Sequence, residues 1–327
     1  MKKIISLFFI LSFILAFANI TMAANLKSFF NKFNSKKGKL KERIEEFQDK
    51  LAKATEVDKS DEDFLPQEKA TVKQIALINI SKSVNPNRSY EACQGFISDG
   101  DYFYIAVLVV GKKGEDLNTR IIKIDAKTYK IVAEKDFGEI GHCNSLTYNP
   151  ITKKIYAAPL YKKWQGIYEF DKELKNIRKI ILKDKSGKNI TNKDLWSVTY
   201  LAKNNQYIVK TGQFELLFFD SDFKLKKNMS IKQQMNLKNG YASQALTTDE
   251  KYLYCLCNDL NSKNERNFIL VYSLYGKYLK KFSFTYDQDK ILIPELEQVI
   301  FVNKKCYGVS QLNGKYAIYE INIKAQQ

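Results

Sequence analysis

One pattern of short β-type segments recurs five times along the chain, and this repeat constrains the fold most. Each copy begins with an amide or aromatic residue, continues as an alternating apolar strand, passes a polar turn and enters a second strand that carries tyrosine. The copies begin at Gln94, Asn144, Trp196, Gln244 and Gln298. The intervals between these positions are 50, 52, 48 and 54 residues. Repeats of this length with several strands each predict a series of similar sheets.

Four of the copies continue in the same way, with a third strand, a tight turn and a fourth strand. Their third strands end in Asp125, Asp171, Asp220 and Ser273. An aspartate at the end of a strand can accept hydrogen bonds from the backbone that follows it, which starts a turn. Each of these copies therefore predicts one four-stranded sheet.

The fifth copy breaks off after its third strand, Tyr316–Asn322. A segment with the character of a fourth strand, 72–80, stands before the first copy. Pairing the two segments would close the series into a ring and cover two open sheet edges. The sequence therefore predicts an all-β fold, a five-bladed β-propeller over residues 72–327 that is closed by its N-terminal strand.

The N-terminus has the features of a signal peptide. Lys2 and Lys3 precede an uncharged apolar run, 4–17, and small residues follow that run. We expect residues 1–24 to direct export, which would make the protein periplasmic or extracellular. The alternative is that this segment is retained as an anchor in the cell envelope.

Residues 25–71 differ in character from the repeats. Apolar residues recur at helical spacing within 25–54 on a lysine-rich background, and a mostly acidic stretch follows. This pattern predicts a basic amphipathic helical segment and a linker. The helical segment either makes a peripheral membrane contact or serves as a docked helix or spacer.

The formal net charge of +17 at pH 7 raises the question of an anionic partner. The lysines are scattered over predicted turns and strand edges, which indicates a solvated surface. An anionic partner is the alternative. Export argues against nucleic acid as that partner.

The five cysteines and the single histidine do not form a metal-binding motif. The sequence also lacks phosphate-binding glycine loops and nucleophile elbows, so we expect neither a metal nor a cofactor. Cys93 and Cys143 hold equivalent places in neighbouring copies, where they either form a disulfide or remain buried thiols. Cys255 and Cys257 are expected to be small core residues.

The first strand of each blade lines the central channel of a propeller, so the residues that begin the copies should form a ring at its mouth. Side chains two residues earlier share the same face. The predicted ligand-binding residues are Gln94, His142, Asn144, Asp194, Trp196, Gln244, Glu297 and Gln298. These groups suit a small polar ligand or a peptide end. The alternative is that the amides satisfy open backbone groups of the inner strands.

Two stretches resemble known five-bladed propellers. Gly141–Pro150 is similar to a sequence motif found in secreted propellers. Pro294–Gly308 looks like the corresponding last blade of plant-type glutaminyl cyclotransferases. Those enzymes cyclise N-terminal glutamine and carry acidic residues at their blade starts. The resemblance implies a role for Glu297, whereas the other copies have Gln94, Asn144, Trp196 and Gln244 at this position.

These patterns lead to three functional hypotheses. The first is an exported, non-catalytic propeller that binds a small polar ligand or peptide end at its channel mouth. The second is a protein-interaction scaffold at the cell envelope. The third is a glutaminyl cyclotransferase-like or hydrolytic enzyme that uses Glu297 and His142. His142 and Cys143 are neighbours on an extended segment and point apart, so the sequence predicts no Cys–His dyad.

Overall fold

The computed structural model describes residues 67–81, 85–161, 165–212, 214–231, 241–259, 267–286 and 295–323. The predicted signal peptide, 1–24, and helical segment, 25–54, lie outside these residues. The described residues form strands joined by turns, with a short 3₁₀ helix at Ala202–Asn204. No helix in this part of the chain has the length and apolar character needed to cross a membrane.

Three four-stranded antiparallel sheets follow one another, with their strands in sequence order. The first contains β2 (Arg88–Ser98), β3 (Tyr102–Gly111), β4 (Asp116–Asp125) and β5 (Ile131–Phe137). The second contains β6 (Ser145–Asn149), β7 (Lys154–Ala158), β8 (Ile167–Asp171) and β9 (Arg178–Ile180). The third contains β10 (Leu195–Leu201), β11 (Gln206–Thr211), β12 (Glu215–Phe219) and β13 (Leu225–Ser230).

The other described strands form one eight-stranded sheet. They are β1 (Gln67–Ile78), β14 (Tyr241–Thr248), β15 (Tyr252–Asp259), β16 (Asn267–Ser273), β17 (Tyr278–Tyr286), β18 (Leu296–Val302), β19 (Lys305–Leu312) and β20 (Lys315–Asn322). Their order in the sheet is β14-β15-β16-β17-β1-β20-β19-β18. The sheet thus consists of two four-stranded halves that meet at β1.

Strand β1 pairs with two neighbours, along segments that overlap at Thr71 and Val72. Thr71 to Ile78 pair antiparallel with β20, and Gln67 to Val72 pair parallel with β17. The predicted pairing of the N-terminal strand with the last third strand is therefore confirmed. The strand begins at Gln67, within the predicted linker, because the residues before Val72 pair with β17. Their polar sequence does not indicate this pairing.

Apolar residues pack between consecutive sheets and half-sheets. One of these clusters contains Phe103 of β3 and Ile318 of β20, so it joins the last half-sheet to the first sheet. The innermost strands β2, β6, β10, β14 and β18 contact one another in the same circular order. Strand β3 is buried on both faces because it has a sheet on each side. The architecture is all-β and of the propeller type.

The turns between third and fourth strands form as the aspartates predict. Asp125 Oδ1 accepts hydrogen bonds from the backbone N–H groups of Lys127 at 3.0 Å and Thr128 at 2.7 Å. Asp220 Oδ1 accepts one from Lys224 N–H at 2.9 Å. Each carboxylate thereby satisfies backbone donors that the strand ladder leaves open.

All five cysteines are buried free thiols. Cys93 and Cys143 therefore do not form the disulfide that the sequence left open. Cys255 and Cys257 are fully buried core residues, as predicted.

Candidate ligand-binding site

Bulges in the inner strands decide which side chains occupy equivalent positions in the five copies. In β10, Leu195 and Ser197 pair with consecutive residues of β11, so Trp196 is the extra residue. In β18, Leu296 and Gln298 pair in the same way with β19, so Glu297 is the extra residue. Glu297 is thus the counterpart of Trp196. We call the five residues at these equivalent positions the mouth ring, after their predicted place: Gln94, Asn144, Trp196, Gln244 and Glu297.

The predicted place of Gln298 in this ring was wrong by one position, because a bulge shifts the alternation of side chains. Gln298 is 1% exposed and lies across the centre of the inner strands. Its Oε1 accepts hydrogen bonds from Phe96 N–H at 2.8 Å and Leu146 N–H at 3.0 Å. Its Nε2 donates to Leu146 O at 2.8 Å. One side chain of β18 therefore satisfies backbone groups of β2 and β6.

Serines perform the same task at equivalent positions of the next two inner strands. Ser145 Oγ accepts a hydrogen bond from Val198 N–H at 3.0 Å. Ser197 Oγ accepts one from Leu246 N–H at 2.9 Å. Below the mouth ring, polar side chains thus connect the inner strands, which matches the alternative in which such groups satisfy open backbone.

Glycine occupies the corresponding position of β2 because the next inner strand approaches too closely for a side chain. A Cβ atom on Gly95 would lie 2.9 Å from Leu146 Cγ and 3.0 Å from Leu146 N. Both contacts are shorter than packed atoms tolerate. Gly95 therefore offers Leu146 N–H no acceptor from a β2 side chain, and the Oε1 atom of the longer Gln298 side chain supplies that acceptor.

Two amides of the mouth ring are engaged with the protein. Asn144 is buried, and its Nδ2 donates to Trp196 O at 2.9 Å. Gln244 Nε2 donates to the Glu295 carboxylate, which also accepts a hydrogen bond from Asn258 Nδ2 at 2.5 Å. Asn258 Oδ1 is buried and has no hydrogen-bond partner among the described residues. Gln94 is buried within the bulge of β2.

His142 lies beside two residues that the sequence analysis missed. Its Nδ1 is 3.3 Å from Asp116 Oδ2, and its ring meets the Tyr161 ring edge-on at 5.4 Å between centroids. Burial, and then the charges of Asp116 and Asp194, raise the pKa of the Tyr161 hydroxyl. The mouth group, defined as Asp116, His142, Tyr161 and Asp194, thus combines the first residue of β4 with three residues from the segments that precede or follow β6, β7 and β10.

A pocket of about 450 Å³ lies next to the mouth group. It is lined by Lys193, Asp194, Thr211, Gly212, Phe214, Glu215 and Ser230. Burial alone would raise the pKa of the Glu215 carboxyl, but hydrogen bonds from Lys193 and Thr211 outweigh burial and lower it. Glu215 is therefore a carboxylate at neutral pH. Asp194 belongs to both the pocket and the mouth group.

The charged member of the mouth ring, Glu297, is half-buried. Burial, and then the charge of Glu297, raise the pKa of the Cys93 thiol. Trp196 is also half-buried, and Lys210 Nζ lies 4.9 Å from the centre of its ring. Among the described residues, no group of three or more histidine, cysteine, aspartate or glutamate side chains is placed to hold a metal ion.

Sequence signals could not have identified Asp116 or Tyr161. Each stands at a strand end or in a turn outside the repeated inner-strand pattern, and neither is close to His142 in sequence. They meet because neighbouring sheets present the same end to the mouth. A search of the turn residues at that end of each copy would have been the route to them.

No protein-family model matches the chain, and no curated protein matches it. Solved structures resemble it in fold. The tail fibre of Staphylococcus aureus phage P68 aligns with 77% of this chain at 14% identity, with a TM-score of 0.54. The chain spans about half, 52%, of the length of that tail fibre.

Two further solved structures align at lower scores. The β-propeller domain of the Trilobed protease from Pyrococcus furiosus covers 73% of this chain and 85% of its own, at 12% identity and a TM-score of 0.35. An engineered GH43 glycoside hydrolase covers 72% of this chain and 51% of its own, at 10% identity and a TM-score of 0.45. At these identities the resemblance concerns the fold alone.

Proposed function

We propose that the chain is an exported five-bladed propeller that binds a small polar ligand at its mouth without transforming it. The ligand class that the site favours carries an amine, as the amino end of a peptide does. Residues 1–24 would deliver the protein to the periplasm or the cell exterior. Five blades are supported by the three separate sheets, the two halves of the eight-stranded sheet and the circular contacts of the inner strands.

The mouth group is the observation that carries this proposal. The charges of Asp116 and Asp194 both act on the hydroxyl of the half-exposed Tyr161, and Asp194 also lines a pocket that contains Glu215. Carboxylates bind an ammonium group by charge-assisted hydrogen bonds, and an aromatic face attracts a cation. A pocket of about 450 Å³ has the size of a site for a small molecule or a few residues of a peptide.

The amine assignment is favoured by the sign of the local charge. The chain as a whole carries +17, yet the mouth group contains two carboxylates, and the one described lysine of the pocket is paired with Glu215 at 2.7 Å. Asn258 Oδ1, the buried acceptor beside Glu295, would also be satisfied by a donor. An anionic ligand would find no comparable set of donors here among the described side chains.

Thermal denaturation of the purified protein tests the proposal, using tripeptides with a free amino end and their N-acetylated counterparts as probes. A binding tripeptide at about 100 times its dissociation constant should stabilise the protein by about 2.7 kcal/mol, which raises Tm by several degrees. The N-acetylated form should not. Asp116→Asn and Asp194→Asn should remove the shift, whereas Glu320→Gln, which changes a surface ion pair with Lys305, should keep it.

Three results would count against the proposal. Equal stabilisation by acetylated peptides would remove the amine from recognition. No stabilisation by any tripeptide or small amine would remove binding at the mouth. Conversion of the bound peptide by the unaltered protein, lost in His142→Gln, would favour the enzymatic alternative, because a carboxylate-oriented imidazole such as His142 beside Asp116 can transfer protons.

A further inference from the structure

A cluster of reactive side chains lies in contact with Trp196 of the mouth ring. Lys210, Ser243, Cys255 and Cys257 are all fully buried. Lys210 Nζ donates to Ser243 Oγ at 2.7 Å and is also 3.2 Å from Ser243 O. Ser243 Oγ lies 3.2 Å from Cys255 Sγ, and the two sulfur atoms are 4.0 Å apart. We call these four residues the buried cluster.

A buried ammonium group is costly unless an anion or strong acceptors compensate for lost water. Burial lowers the pKa of Lys210 to about 8, and the charges that act in the opposite direction come from Cys255 and Cys257. Among the cysteines, Cys255 is the one whose contact with Ser243 allows it to act as an anionic partner of Lys210. Lys210 and Cys255 are linked through the Ser243 hydroxyl, which can accept from the ammonium and donate to a thiolate.

The two cysteines respond to this environment in opposite ways. A hydrogen bond from Cys257, and then the charge of Lys210 and the Ser243 hydroxyl, lower the pKa of Cys255 to about 7. Burial raises the pKa of Cys257. The Lys210–Ser243 hydrogen bond and the Ser243–Cys255 contact thus favour a thiolate at Cys255, which is the nucleophile in thiol oxidation, beside a thiol at Cys257 that can resolve the product.

The other three cysteines lack this arrangement. Cys93, Cys143 and Cys306 are buried, and burial raises the pKa of each thiol. These three thiols provide an internal comparison, because all five cysteines are buried. Among the contacts of the described residues, a second sulfur atom and the charge of Lys210 act on Cys255 and Cys257 alone.

We propose that Cys255 and Cys257 form a redox-active dithiol that a hydroperoxide oxidises to a disulfide within strand β15. The Cys255 thiolate attacks one peroxide oxygen, the O–O bond breaks, and a sulfenic acid and hydroxide form. The Cys257 sulfur then attacks the sulfenic sulfur, an S–S bond forms, and hydroxide leaves. With hydrogen peroxide the sum is two thiols and one peroxide giving one disulfide and two waters; the sulfur atoms lose two electrons and the peroxide oxygens gain them.

Closing the bond requires the sulfur atoms to approach from 4.0 Å to about 2.05 Å. Residues two apart on a strand share one face, and their Cα atoms are about 6.7 Å apart. That separation is at the upper end of the range that disulfides span, which favours a reversible bond over a permanent one. Lys210 is a positioning residue in this scheme, since it acts by stabilising the Cys255 thiolate.

Peroxide treatment of the purified full chain at neutral pH, followed by acid quenching, denaturation, thiol alkylation and peptide mass mapping, tests the proposal. We expect the peptide with Cys255 and Cys257 to lose two hydrogens and to resist alkylation. Dithiothreitol should restore alkylation. Cys93, Cys143 and Cys306 should still be alkylated after peroxide treatment. Oxidation of all five thiols at one rate, or a disulfide between two chains, would overturn the proposal.

Two variants separate the roles of the residues. Cys257→Ser, which keeps a small side chain, should stop the reaction at a sulfenic acid that dimedone traps on Cys255; no adduct would overturn the proposal. Lys210→Met should slow oxidation of Cys255 at least about tenfold, because the thiolate fraction falls. An unchanged rate would remove Lys210 from the scheme. Should Lys210→Met fail to fold, the dimedone result decides.

Discussion

At the scale of single residues, the centre of the molecule depends on side chains that replace backbone partners. Neighbouring inner strands belong to different sheets or half-sheets and form no β-ladder with one another among the described residues, so inward backbone groups need side chains as partners. Gln298, Ser145 and Ser197 supply them. Gln298 has the largest share, because it reaches past Gly95 and makes three hydrogen bonds to two strands.

Replacing Gln298 by leucine should therefore lower the free energy of unfolding by about 3 kcal/mol or more. Leucine has a similar bulk but no polar atoms, and it leaves Phe96 N–H and both backbone groups of Leu146 unpaired, at about 1–3 kcal/mol for each buried orphan. Urea denaturation measures the change. Gln74→Leu on exposed β1 is the matched control and should shift the value by less than about 0.5 kcal/mol. Equal effects of the two substitutions would contradict the structural role of Gln298.

The sequence could predict that amides would lie near the axis, but not which of them would face the mouth. Glu297 and Gln298 are adjacent, and either one can begin an alternating strand. The bulge in β18 decides between them, and it depends on pairing with β19 rather than on local composition. The contact of His142 with Asp116 could not be predicted either, because it joins the segment between β5 and β6 to the start of β4, 26 residues earlier.

At the scale of elements, β1 determines how the chain closes. It serves as the outer strand beside β20 and, through Gln67–Val72, also extends the edge of β17. Covering two edges with one strand protects both from pairing with other molecules. The pairing with β20 could be predicted because the last repeat lacks a strand that the first residues of the repeat region supply. The pairing with β17 could not, because Gln67–Thr71 has no apolar alternation.

A disulfide engineered between facing residues of β1 and β20 tests this closure. Thr71 lies opposite Asn322, and both side chains are exposed. Facing residues of antiparallel strands have Cα atoms about 4.5–5.5 Å apart, which a disulfide can span. The oxidised Thr71→Cys, Asn322→Cys variant should be a monomer that is about 2–4 kcal/mol more stable than its reduced form in urea denaturation.

The control for this disulfide places the second cysteine at the other end of β20. Thr71→Cys with Lys315→Cys separates the two thiols by most of the strand, so no bond should form within one chain. A disulfide in both variants, or only between chains in the first, would contradict the pairing of β1 with β20.

At the scale of the whole molecule, the cores between the sheets contain many phenol and thiol groups that are neutral at pH 7. Burial raises the pKa of tyrosines in several of these cores, namely Tyr104, Tyr207, Tyr254, Tyr272 and Tyr316. It raises the pKa of Cys143 and Cys306 in the same way. The stability of the fold therefore depends on pH, because ionising any one of these hydroxyl or thiol groups would place a charge in an apolar layer between sheets.

The protein should accordingly lose stability in alkali. A group whose pKa is raised on folding contributes its full stabilisation below its unfolded pKa, 9.0 for cysteine and 10.0 for tyrosine, and loses it as pH rises further. Each such group lowers the free energy of unfolding by up to about 1.4 kcal/mol per pH unit above that value. Lys210 acts in the opposite direction between about pH 8 and 10.5, since burial lowers its pKa, but it is one group against several.

Urea denaturation at successive pH values should show that the free energy of unfolding falls above about pH 9. Tyrosinate absorbance, recorded on the folded protein, should show that the buried tyrosines ionise only on unfolding. Native-state titration of these tyrosines near pH 10, or constant stability up to pH 11, would show that the layers between the sheets admit water.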